Sequence, residues 1–99
     1  MKYKEYDFPA DKNQWLKDNR NISFEEVIAA IEDGCILDVV PHSNSGKYPN
    51  QLMYILNIND YIHLVPFVKQ SETSIFLKTI FKSRKKTKQY LKEAKKQEV

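Results

Sequence analysis

Two apolar runs, Gln51 to Ile58 and Tyr61 to Lys69, are separated only by Asn59 and Asp60. So short a connection folds the runs back on each other as an antiparallel hairpin, because parallel strands need a crossover of about a dozen residues or more. Whatever else the chain does must be built around that pair. Cys35 to Val40 and Ser74 to Phe81 are further short apolar runs bounded by turn residues, so the pattern predicts four strands joined as an antiparallel meander. Pro66 falls inside the second hairpin strand and has no N–H to give to a neighbour. A bulge or an edge position is expected there.

The clearest helix signal is Ser23-Phe24-Glu25-Glu26. This is a capping box, in which the Ser23 hydroxyl accepts from the Glu26 amide and Glu26 reaches back. Phe24, Val27, Ile28 and Ile31 follow at helical spacing, and Gly34 supplies the stop. Pro9 and Asp11 suit the start of an earlier short helix, Asp11 to Asn19, anchored by Trp15 and Leu16. Lys2 to Phe8 alternates weakly, as a strand would. Ser83 suits the N-cap of a last helix running to about Lys95, with Thr87, Tyr90, Leu91 and Ala94 on a thin apolar face. The predicted fold is α+β: N-terminal helices, a four-stranded antiparallel sheet and a C-terminal helix.

At 99 residues the chain suits a single domain, 1–99, with room for one core. No stretch approaches the ~20 apolar residues of a membrane-spanning helix. The first residues, Met1-Lys2-Tyr3-Lys4-Glu5, carry no apolar leader, and the single Cys35 can form no internal disulfide. A reduced, cytoplasmic setting without membrane contact is expected, with Cys35 a small buried thiol.

Charge is unevenly spread. Lys78 to Val99 holds nine of the sixteen basic residues and two acids, Glu93 and Glu98, whereas the first 77 residues carry seven bases against eleven acids. One cationic end, following directly on an apolar strand, attracts polyanions, and phosphate backbones are the usual target. Lys78, Lys82, Arg84 and Lys85 are therefore the first residues to examine.

Several features together resemble the BrnT family of bacterial toxins, within the wider RelE-like superfamily. They are Phe8 with the helix-opening pair Lys12-Asn13, the stretch Arg20-Asn21-Ile22-Ser23-Phe24-Glu25-Glu26, and the last strand from Ile75 running into Ser83-Arg84-Lys85 and on to Tyr90. Two positions depart from the family pattern. Its His-Gly stands as Arg20-Asn21, and the arginine that commonly closes its last strand falls at Ile80. The resemblance implies an α+β RelE/BrnT-like fold and a type II toxin–antitoxin pair. RNA would be the substrate, a small DNA-binding antitoxin the cognate partner, and operator DNA would be reached only through that antitoxin. No cofactor or metal is implied.

Metal-independent RNA cleavage requires a base for the 2′-OH, cations for the developing phosphorane charge and an acid for the leaving oxygen. Arg84 is the leading charge-stabilising candidate, because a guanidinium pairs with two phosphate oxygens and stays ionised. It lies in the predicted first helical turn, where a cation opposes the helix dipole and a bound phosphate would relieve the conflict. Lys78 is placed on one strand face with Phe76 and Ile80, and Lys82 beside Arg84. His63 is the candidate for proton transfer, on the strand face shared by Tyr61, Val65 and Phe67. Lys85, Lys47, Tyr48 and Arg20 are the expected RNA contacts. His42 stands at the mouth of the loop before Tyr48. Each has a bland counterpart: a solvated helix cation, a strand lysine beside a core aromatic, or a hydrogen-bonded strand histidine. No nucleophile elbow or glycine-rich phosphate loop accompanies these residues, which argues against serine hydrolase and nucleotide-hydrolysing chemistry. A second reading from a different class is a module of the same fold that binds RNA or antitoxin without catalysis, suggested by Ile80.

Overall fold

The structure is a computed structural model that describes residues 3–92. A short strand β1 (Glu5–Asp7) leads into two helices, α1 (Ala10–Arg20) and α2 (Phe24–Glu32). The sheet strands β2 (Ile36–Pro41), β3 (Leu52–Ile58), β4 (Tyr61–Lys69), β5 (Ser74–Leu77) and β6 (Phe81–Lys82) follow. A short helix α3 (Arg84–Thr87) then widens into a π-helical turn, Lys88–Lys92. Ala94 and Lys95, placed by the sequence on the last helix, lie outside the described residues.

The α+β class holds, but the sheet is not a four-stranded antiparallel one. Six strands form a mixed sheet in the order β1-β5-β4-β3-β2, with β6 also paired to β4. The N-terminal strand adds to β5 in parallel, Tyr6 opposite Ile75, and the remaining pairs are antiparallel. The hairpin forms as its turn predicts. Asn59 and Asp60 both adopt positive φ, 55° and 62°, the twist that lets two residues join right-twisted strands.

The expected last strand is split in two, and Pro66 explains why. Phe67 lies opposite Leu77 while Leu64 lies opposite Phe81, so three steps along β4 are matched by four along its partner. The extra residue is a bulge, sitting where Pro66 has no N–H to donate; its carbonyl still accepts from Lys78 N at 2.8 Å. Because strand side chains alternate, one extra residue reverses every face beyond it. Leu77 is buried in the core, and so is Ile80, although an uninterrupted strand would put them on opposite faces. Ile80 therefore does not share a face with Phe76 and Lys78, as the sequence alone suggested.

The core lies between the helices and one sheet face. Leu16, Phe24, Val27 and Ile31 pack with Tyr54, Leu56, Val65, Phe67, Ile75, Leu77 and Ile80. Burying each large apolar side chain contributes roughly 1.5–3 kcal/mol. The capping box forms in part: Ser23 Oγ accepts from Glu26 N at 3.2 Å, and the Glu26 carboxylate takes the Ser23 hydroxyl at 3.5 Å. Gly34, at φ 80°, ends α2.

α1 is anchored differently from expectation. Leu16 is fully buried, but Trp15 is 42% exposed and covered instead by cations, with Lys12 Nζ 4.6 Å and Arg20 Cζ 4.9 Å from its ring centre. The polar Asn13 supplies the missing attachment. Its Oδ1 accepts from the buried Phe24 N at 2.8 Å, and its Nδ2 donates to Glu25 Oε1 at 2.8 Å. Cys35 is half-buried with a free thiol.

Candidate nucleic-acid interface

The bulge opposite Pro66 also brings a histidine and a lysine together. By reversing the faces of β6, it turns Lys82 onto the helix side of the sheet, directly opposite His63. His63 keeps 3% of its surface exposed, and its Nδ1–H donates to the Tyr61 carbonyl at 2.9 Å. That bond leaves the lone pair of the neutral ring on Nε2. Burial pushes the imidazole below its ordinary pKa, the Tyr61 carbonyl pulls it back, the Lys82 charge lowers it and Glu26 raises it. The result at neutral pH is an uncharged base beside a cation.

Two open grooves meet at Lys82. The larger, about 810 Å³, runs between the C-terminal turn of α1 and β6, with Lys17, Arg20, Asn21, Phe81 and Lys82 in its walls. The smaller, about 450 Å³, is lined by Asn21, Glu26, Tyr61, His63 and Lys82. Arg20 is positioned by its Nη1, which donates to the Ile80 carbonyl at 3.3 Å, and by stacking on Trp15. A guanidinium has five N–H donors, so one backbone bond leaves others for a phosphate. Asn21, at φ 52°, ends α1 and turns the chain between the two grooves.

The remaining predicted residues divide into two groups. Tyr48 and Lys78 line a third, smaller cavity on the far side of Phe81, and Lys47 lies with its Nζ 5.4 Å from the Tyr48 ring. Lys78 Nζ is 5.3 Å from the Phe76 ring, so the expected strand-face pairing of those two forms even though Ile80 leaves it. Arg84 and Lys85 are exposed on α3 and line none of these three grooves. The structure thus pairs His63 with Lys82, places Arg20 in the adjoining groove that Lys82 also lines, and leaves Arg84 on the surface outside both.

α3 is tied to the sheet just beyond Lys82. Ser83 N donates to the Ile62 carbonyl at 3.0 Å, and Ser83 Oγ caps Lys86 N at 3.1 Å. Thr87, read from the sequence as part of an apolar face, uses its hydroxyl instead. It accepts from Ile62 N at 2.9 Å and donates to Ser83 O at 2.7 Å, completing the free ladder position of β4. Sequence reasoning passed over Glu26, Tyr61 and Phe81 as groove residues. The signal for Phe81 and Lys82 was available in Pro66, whose bulge sets their faces.

Among the described residues no cluster of three or more His, Cys, Asp or Glu side chains is arranged to hold a metal ion, and no helix is long and apolar enough to cross a membrane. Comparison with protein-family models, with curated proteins and with solved structures returns no match.

Proposed function

We propose that the chain is an RNA-cleaving toxin of BrnT type, acting without a metal and neutralised in the cytoplasm by a cognate DNA-binding antitoxin. One observation carries the reading: a neutral imidazole, His63, is paired across adjacent strands with a cation, Lys82, and Lys82 lines both the His63 groove and the neighbouring groove that holds Arg20. In this scheme the 2′-OH of the substrate gives its proton to His63 Nε2 and attacks the adjacent phosphorus. Lys82 and Arg20 stabilise the charge on the non-bridging oxygens. The leaving 5′ oxygen takes its proton from a donor in the same pocket, and the Tyr61 hydroxyl is the candidate. The products are a 2′,3′-cyclic phosphate and a 5′-hydroxyl. Arg84, Lys85, Lys78 and Lys47 hold flanking phosphates.

The antitoxin covers the grooves with an acidic or amphipathic segment and makes the operator contacts itself. The guanidinium at the end of the sheet comes from Arg20 on α1, whose side chain reaches the backbone of the buried Ile80. That supports a phosphate role for Arg20 where the family pattern would place an arginine on the last strand.

A second reading has its own support. His63 is almost wholly enclosed and already bonded to Tyr61, as a structural histidine would be. On that reading the chain binds RNA or antitoxin and cleaves nothing. Expression without a partner separates the two. Growth arrest relieved by Lys82→Ala is the expected result, whereas normal growth of cells making folded parent protein favours the binding module.

A further inference from the structure

The cavity beyond Phe81 has a different character from the catalytic grooves. It is about 250 Å³, below the ~300–1,000 Å³ of a small-molecule cleft. Rings dominate its walls: His42, Tyr48, Pro66 and Phe81, with Lys78 at the side. His42 and Tyr48 are 4.6 Å apart between ring centres, tilted by 46°. Phe81 is 42% exposed and lines both this cavity and the Arg20 groove, so the two are neighbours across one ring. Lys47 and Lys78 flank the rings with positive charge.

The loop carrying this wall is held in place by its own backbone. His42 N donates to Gln51 O at 3.0 Å and closes its base, while Tyr48 N and Lys47 N both donate to Asn44 O. Asn44 Oδ1 takes a further bond from Lys47 N, and Asn44 N donates to His42 Nδ1 at 3.0 Å. Its rings are therefore positioned before anything binds.

We infer that His42, Tyr48 and Phe81 form a subsite for one unstacked nucleobase of a single-stranded RNA, with Lys47 and Lys78 on the phosphates either side of it. The inference rests on RNA being the substrate of the neighbouring grooves and adds which form of RNA is taken. A flat ring fits a small cavity walled by rings, and the flanking lysines suit the charged backbone on which a base is carried. A base inside a duplex is stacked and paired and cannot enter. Lys78 then belongs to base placement and not to the reacting phosphate, and Phe81 separates the two positions.

The test is fluorescence-anisotropy titration of the full chain with a short fluorescein-labelled 2′-O-methyl oligoribonucleotide. This probe lacks the attacking hydroxyl, so it reports binding whether or not the protein is a nuclease. It is compared with the same strand carrying one abasic residue at successive positions, and with the strand annealed to its complement. The expected result is an abasic penalty of about five- to hundredfold at one position, from the loss of one stacked base. Phe81→Ala and Tyr48→Leu should lose the same factor and become indifferent to the abasic position. Phe81→Leu, which keeps an apolar side chain, should lose it too. An equal affinity for intact and abasic strands overturns the inference, as does unchanged binding by the Phe81 variants, tighter binding of the duplex, or no binding by the parent chain. Base-dependent binding combined with intact cellular RNA would leave the subsite standing and remove the nuclease. Cleavage indifferent to Phe81 would do the reverse.

Discussion

Asn13 and His63 are the two polar side chains whose burial has the clearest consequences. Asn13 satisfies the Phe24 amide at the start of α2, and Phe24 is fully buried. Asn13→Leu keeps the branched outline but leaves that N–H unpaired, which should cost about 1–3 kcal/mol in urea denaturation. For His63 the direction of the shift settles the pH dependence. Its folded pKa lies below the ordinary 6.5, so between the two values the unfolded chain binds a proton that the folded chain does not. Stability from this group is therefore complete above about pH 6.5 and falls as the pH drops toward the folded value. Thermal unfolding at pH 7 and pH 5 should show a decline that His63→Gln flattens. The proposed role of His63 as general base predicts a cleavage rate that stays level below pH 6.5, with the fall-off at lower pH.

At the scale of elements, the segment from Pro66 to Thr87 decides where the chemistry stands. The bulge buries Ile80 and turns Lys82 toward His63. Ile80→Ala should cost about 2–4 kcal/mol through the cavity it leaves. Ile80→Arg, which would restore the family residue, should destabilise at least as much by placing a charge in the core, and should not raise activity. Thr87→Val keeps the shape but removes the acceptor for Ile62 N, with an expected loss of about 1–3 kcal/mol by the same denaturation measurement. The hairpin, α2 and its cap were legible because local rules set them: two positive-φ turn residues and a Ser-x-x-Glu box. The parallel pairing of β1 was not, since a three-residue strand has no periodicity of its own and takes its place from β5. The site was legible in part. His63 and Lys82 could be named from their chemistry, but their juxtaposition depends on a register step that residue types alone do not place. Trp15 misled for a related reason: its size suggested the core, and cation stacking holds it at the surface.

Across the described residues, the grooves open on the α+β body at the start of the cationic tract, with Lys78 and Lys82 in their walls. The proposed RNA binding is predicted to weaken with salt, log K falling by about 0.7 per log unit for each phosphate neutralised on a single strand. Lys82→Ala and Lys78→Ala should each reduce that slope by about that amount, read from titrations at several salt concentrations. Arg84, on the surface beside the grooves, should act on binding more than on turnover. The most direct measurement is incubation of the purified chain with total RNA in EDTA, beside His63→Gln, Lys82→Ala and Arg84→Ala. Cleavage by the parent chain is predicted, reduced on the order of tenfold to a thousandfold by the His63 and Lys82 changes and much less by Arg84→Ala. Cleavage that survives the loss of both His63 and Lys82, or RNA that the folded parent binds and leaves intact, would contradict it.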